Sequence, residues 1–141
     1  MNTEGVVERL RELAAAKVPF VHQGRTFSGI DCVGAVAYAF QYDHGLPNYP
    51  EDPINGELEK NLTEILGPPV LEKPASVSLL KPLDILSMQY AGPVRHVAVV
   101  VPHINIKEAL SIVHTHAIVG HVIEHILDEK WRRRIVRVWR V

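Results

Sequence analysis

Residues 28–40 read SGIDCVGAVAYAF and hold the chain's single cysteine, Cys32. Asp31 is a good N-cap, because its carboxylate can accept from the unpaired N–H groups of a first helical turn. The run that follows, CVGAVAYAFQY, is apolar on nearly every face, which marks a central, buried helix. Cys32 therefore falls at the first turn of that helix, facing orphan N–H groups and the positive end of the helix dipole. Both favour a thiolate, and cysteine pKa values at such places fall from about 8.5 into a range of roughly 3.5–7.5. The same N–H groups can donate to the oxyanion of an acyl intermediate. The competing reading is packing alone, since a free cysteine is among the most buried residue types.

Upstream, VVERLRELAAAK places Val6, Leu10, Leu13 and Ala14 on one helical face, with Thr3 as the expected cap and Pro19 as the stop. VPFVHQGRTFSG reads as extended chain entering a loop. Downstream, DHGLPNYPEDPING is a Pro- and Gly-dense loop, and GELEKNLTEILG is a second amphipathic helix that ends at Gly67. Pro68–Pro82 shows no strong period. Beyond it LDILSM, RHVAVVVP, LSIVHTHAIV, HVIEHIL and IVRVWRV are β-rich runs. INIKEAL, between two of them, fits either a hairpin turn or a short helical insert. Helices first and strands afterwards predict an α+β domain, N-terminal helices packed on an antiparallel sheet, with residues 1–141 as one unit.

The 141 residues suffice for one substantial core, and 47% hydrophobic with 22% charged residues is ordinary for a globular protein. A net charge of -1 gives no overall field for nucleic acid or an anionic membrane. A lone cysteine excludes an internal disulfide and a Cys-rich zinc module. The first 18 residues carry early acidic side chains and do not read as a secretory signal, and no run is long enough to span a bilayer. Synthesis in the cytoplasm without membrane insertion is the expectation.

A cysteine nucleophile needs a base, and the base needs a partner that orients it. Of eight histidines, His96 opens the apolar run HVAVVV, and SIVHTHA offers His114 and His116 on one face of a strand. Histidines from two paired strands can stand side by side above a helix start.

In order and spacing, GIDCVG, LKPLDIL, RHVAVVV and IVHTHA resemble the NlpC-type cell-wall cysteine peptidases. Their pattern is a G-x-D-C-S-G nucleophile helix, a P-G-D turn, an H-V-G/A strand and a hydrophobic–hydrophobic–H-A strand. PFVHQG and the closing VIEHILDEKWRRRI look most like members associated with phage and prophage tails, so the resemblance covers about Pro19 to the end. It implies a small papain-like fold with Cys32 as nucleophile, His96 as general base and His114 as the orienting third residue; His116 is the alternative. The implied substrate is the peptidoglycan stem peptide, cut between a γ-D-glutamyl residue and a diamino acid. Phage tail proteins are the implied partners and the virion the implied place of action. No cofactor or metal is implied. Phe20, His22, Asp31 and His116 complete the set expected around substrate and oxyanion.

Three positions depart from that pattern. Phe20 stands where tyrosine is common, so hydroxyl donation must come from elsewhere, with His22 or backbone amides as the substitutes. Val33 replaces a serine, and Leu83 replaces the glycine of the P-G-D turn while Asp84 is kept. Gly34 is expected to let the His96 strand approach the cysteine helix closely.

Three other readings compete. His114, His116, His121 and His125 are possible zinc ligands, but VGHVIEHIL alternates like a strand, and HVIEH puts the acid one place late for H-E-x-x-H. EKWRRRIVRVWR clusters Lys130 and five arginines with two tryptophans, a pattern able to track phosphates and stack bases, although a solvated edge strand explains it as well. The third is a papain-like fold kept for tail assembly with little or no peptidase activity.

Overall fold

The computed structural model describes residues 2–42, 57–92, 94, 96–115 and 118–141, so the loop expected over 43–56 and the candidate His116 lie outside the described residues. The first helix, α1 (Val6–Ala15), buries Val6, Leu10 and Leu13 as its period demands. Its start is not capped by Thr3. Gly5 takes the N-cap position with a left-handed backbone (φ 76°), and Arg9 reaches from inside the helix to the Ala39 carbonyl at 2.7 Å. The helix also stops well before Pro19. Lys17 turns left-handed (φ 48°), Val18 N–H donates to Leu13 and Lys17 N–H to Ala14, which closes the last turn in a Schellman arrangement.

Two short strands follow, β1 (Arg25–Thr26) and β2 (Gly29–Ile30), and then the central helix α2 (Cys32–Ala39). Six of its eight residues are buried, as an all-round apolar helix requires. Helix α3 (Glu57–Leu66) seats Leu58 and Leu62 in the same core and ends at left-handed Gly67 (φ 84°).

The rest is one six-stranded antiparallel sheet: β3 (Leu71–Glu72), β4 (Ile85–Met88), β5 (His96–Pro102), β6 (Leu110–His114), β7 (Ile123–Ile126) and β8 (Ile135–Trp139), in the order β3-β8-β4-β5-β6-β7. A one-turn helix, α4 (Glu129–Arg132), connects β7 to β8, and INIKEAL forms the turn between β5 and β6, where His103 Nδ1 accepts from the Asn105 and Ile106 N–H groups. The chain is thus an α+β fold with an antiparallel sheet. The Pro68–Pro82 stretch is less irregular than its lack of period suggests, since it supplies β3 and a 3-10 turn at Val77–Leu79.

Both faces of the sheet are covered. Ile85, Val97, Val99, Val101, Val113 and Trp139 pack against α1 and α2, while Leu86, Met88, Ala98, Val100, Ile112 and Val138 form a second cluster with Leu80, Leu127 and Ile135. Burial on both sides is why the central strands read as continuous apolar runs rather than alternating ones.

Three of the five arginines near the C-terminus are held inside the protein's own charge network. Arg140 grips fully buried Asp84 through two bonds of 2.8 Å, Arg137 pairs with Glu59 at 2.7 Å and Glu72 at 3.3 Å, and Arg132 pairs with Glu129. Asp84 also accepts from Lys81 N–H, closing the turn. In that turn Leu83 is left-handed (φ 76°), a conformation that costs a non-glycine residue roughly 1–2 kcal/mol. The glycine of the resembled P-G-D pattern would meet no such cost. No helix among the described residues is long and apolar enough to cross a membrane.

Candidate active site

Asp31 builds the start of α2. One carboxylate oxygen accepts from Gly34 N–H at 2.7 Å and Arg25 at 3.1 Å, the other from Gln23 N–H at 2.7 Å. With 3% exposure it is a buried clamp that ties the 22–25 loop to the helix. It serves the substrate side of the site only by holding that frame. Gly34 contributes to the same joint. A Cβ there would lie 2.3 Å from the Gly24 carbonyl, so the close approach this glycine permits is to the 22–25 loop and not, as expected, to the His96 strand.

Cys32 follows the cap and keeps 9% exposure. The Val97 N–H, in the residue after His96, lies near enough to the Cys32 sulfur to favour the anion. The thiol is not acidified. Burial and then the Asp31 carboxylate push it from 9.0 up to about 12, against the Val97, Val33 and Cys32 N–H groups that favour the anion. The expectation of a lowered pKa fails because the helix dipole and the N–H groups are outweighed by loss of water and by the capping carboxylate itself.

His96 opens β5 opposite Met88 of β4. Its Nε2 lies 2.6 Å from Nδ1 of His114, at the end of β6, and the two rings meet edge to face. Both are buried, at 3% and 1% exposure. The series continues: His114 Nε2 is 2.7 Å from Nε2 of His125 on β7, and His125 Nδ1 is 3.0 Å from the Ile126 carbonyl. Register explains the third ring. Ile112 faces His125 and His114 faces Ile123, so His114 and His125 are diagonal neighbours on one face.

The carbonyl fixes the tautomers. It can only accept, so His125 Nδ1 bears hydrogen, and in a neutral ring its Nε2 accepts from His114 Nε2–H. His114 Nδ1 then accepts from His96 Nε2–H, which leaves Nδ1 of His96 as the basic nitrogen. Linked this way, the three imidazoles make a one-directional relay that runs from His125 to His96, the residue before Val97.

Trp131 of α4 covers the relay, with ring centroids 5.4 Å from His114 and 4.5 Å from His125. Tyr90 lies 5.5 Å from His96, close enough to Cys32 to feel its charge. Burial raises the pKa of its phenol and the Arg134 guanidinium opposes the shift, so Tyr90 stays a hydrogen-bond donor. Arg134 stacks over the Tyr90 and Trp131 rings at 4.6 and 5.3 Å.

His96 and His114 thus meet at one end of the sheet, on the face of Ala98 and Ile112, while Cys32 packs on the α2 side with Val97. Phe20 is held by its backbone, bridging to Ile30 and donating to the Gly120 carbonyl at 2.8 Å, with its ring half-buried. His22 is half-buried in the loop that Asp31 clamps. His121 turns its Nδ1 to the Val122 carbonyl, and β7 is a strand, so His121 and His125 do not share a helical face. Among the described residues no group of three or more His, Cys, Asp or Glu is placed to hold a metal ion. The sequence does not mark Tyr90 or Trp131 as site residues, and it offers His125 only as a possible zinc ligand, not as a partner of His114. The signal for His125 is its period-two place in VIEHI, but only the β6–β7 register sets it beside His114.

No model of a known protein family matches the chain, and no curated protein matches it in sequence.

Proposed function

We propose that the protein is a papain-like cysteine peptidase that cleaves stem peptides of peptidoglycan at γ-D-glutamyl–diamino acid bonds. The observation that carries this reading is the 2.6 Å contact between His96 and His114 at the start of β5, where the next residue's N–H, that of Val97, favours the Cys32 anion.

Because the thiol is held neutral, the chemistry is general-base catalysis rather than attack by a preformed thiolate. His96 Nδ1 takes the thiol proton as sulfur bonds to the substrate carbonyl carbon. The carbonyl electron pair moves to oxygen, where the Cys32 and Val33 amides donate to the oxyanion. The tetrahedral adduct collapses, the C–N bond breaks and His96 returns the proton to the leaving amine. Water, deprotonated by the same nitrogen, then releases the acyl group and restores the thiol. His114 and His125 hold His96 in its tautomer and spread the transient positive charge towards half-buried His125.

The test is release of soluble peptides from purified peptidoglycan by wild type and its loss in a folded Cys32→Ala variant. Activity that survives the substitution refutes the reading.

A second reading is a papain-like structural part of a phage tail with little peptidase activity. It is favoured by the thiol's pKa of about 12 and by Phe20, which offers no hydroxyl. A folded wild type that is silent on several peptidoglycan chemotypes but required for particle assembly decides for it.

A further inference from the structure

The ends of β3, β8 and β4 surround a cleft of about 380 Å3, lined among others by Lys73, Tyr90, Arg133 and Arg134. Tyr90 is shared. It walls this cleft and lies against His96, so the cleft opens beside the catalytic end of the sheet.

Its charge is unbalanced. Arg132, also on the cleft, is paired with Glu129 and the Pro74 carbonyl, but Lys73, Arg133 and Arg134 have no carboxylate partner among the described residues. Arg134 lies over the Tyr90 and Trp131 rings, and its Nε is buried with no hydrogen-bond partner among the described residues. A buried donor without an acceptor is costly, and a guanidinium held against aromatic rings is preorganised for an oxyanion. The positive surface goes no further along the chain, because Arg137 and Arg140 are neutralised by Glu59, Glu72 and Asp84. A phosphate backbone would need a continuing track. One carboxylate needs only this pocket.

We propose that this cleft is the subsite for a free carboxylate of the substrate peptide. The inference rests on the peptidase reading and narrows it. A γ-linked glutamyl residue leaves its α-carboxylate free, and Arg134 with Arg133 and Lys73 selects stems that keep this group as the acid over stems in which it is amidated.

The experiment titrates the full chain carrying Cys32→Ala with L-Ala-γ-D-Glu-L-Lys, with the same peptide as its α-carboxamide, and with inorganic phosphate. The acid binds roughly tenfold or more tighter than the amide, the loss expected for one charge-assisted hydrogen bond pair. That preference disappears in the exposed double variant Lys73→Gln/Arg133→Gln combined with Arg134→Gln. It persists in Arg134→Lys, which keeps the charge. The double variant alone, which leaves the aromatic stack intact, lowers the preference and guards against loss of fold. Equal binding of acid and amide overturns the proposal, as does an undiminished preference after all three substitutions or phosphate binding as tight as the acid. Cleavage by wild type is scored separately. Acid preference without cleavage refutes the peptidase reading and leaves the subsite standing; cleavage indifferent to amidation does the reverse.

Discussion

His96 donates from Nε2 to Nδ1 of His114 across 2.6 Å, and the direction of that bond is set 11 residues further on, where His125 donates to a carbonyl. A peptide oxygen at the far end therefore determines which nitrogen of His96 is basic.

Removing rings from this relay should have graded effects. His114→Ala leaves His96 without an orienting acceptor and should lower kcat by roughly 10²–10⁴-fold with little change in KM. His125→Ala removes one more distant hydrogen bond of about 1 kcal/mol and should cost roughly fivefold. His125→Gln, which can still accept from His114, should recover most of that. Steady-state kinetics on a soluble stem peptide separate the three variants.

The raised thiol has two consequences. Iodoacetamide should label Cys32 slowly at pH 7, with the rate climbing only at clearly alkaline pH, and acylation should show a solvent deuterium isotope effect. Stability follows the same shift. The folded thiol titrates near 12 and the unfolded one near 9.0, so between those values the unfolded chain has lost a proton that the folded chain keeps. That thiol's contribution is intact below pH 9 and declines as pH rises towards 12, by about 4 kcal/mol as an upper bound. Denaturant melts of wild type and Cys32→Ala should converge with rising pH, since only wild type carries this slope.

Asp31→Ala should destabilise by about 1–3 kcal/mol, because the cap is lost and the Gly34 and Gln23 N–H groups are left without their acceptor. The same change removes a carboxylate that raises the thiol's pKa, so Cys32 alkylation should become faster at a given pH. A merely structural cap would move the melt and leave the alkylation profile in place.

Gly34→Ala should cost about 2–4 kcal/mol, since the new Cβ would meet a backbone oxygen at 2.3 Å and carbonyls cannot rotate out of the way like side chains. Thermal melts of this variant beside Ala35→Gly, elsewhere on the same helix, separate the clash from helix propensity.

Much of the fold could be read locally. The stripe of α1, the all-round apolar α2 behind Asp31, the stop of α3 at Gly67 and the strand runs after residue 84 follow from side-chain period and from capping and turn chemistry, which act over a few residues. The ends of α1 differ from the sequence expectation because Gly5 and Lys17 use left-handed backbone where Thr3 and Pro19 carry the stronger sequence signals. β3 and α4 are too short to show a period.

The candidate site divides along the same line. Sequence alone established a cysteine directly behind a capping aspartate, one histidine at the head of an apolar strand and others downstream, because capping and strand alternation are written in neighbouring residues. Only the tertiary structure decided that His125 completes a relay with His114, that Gly34 yields to the 22–25 loop and that the sulfur is held protonated. Pairing register, close approach between segments distant in the chain and loss of water are properties of the packed molecule, and no short stretch of residues carries them.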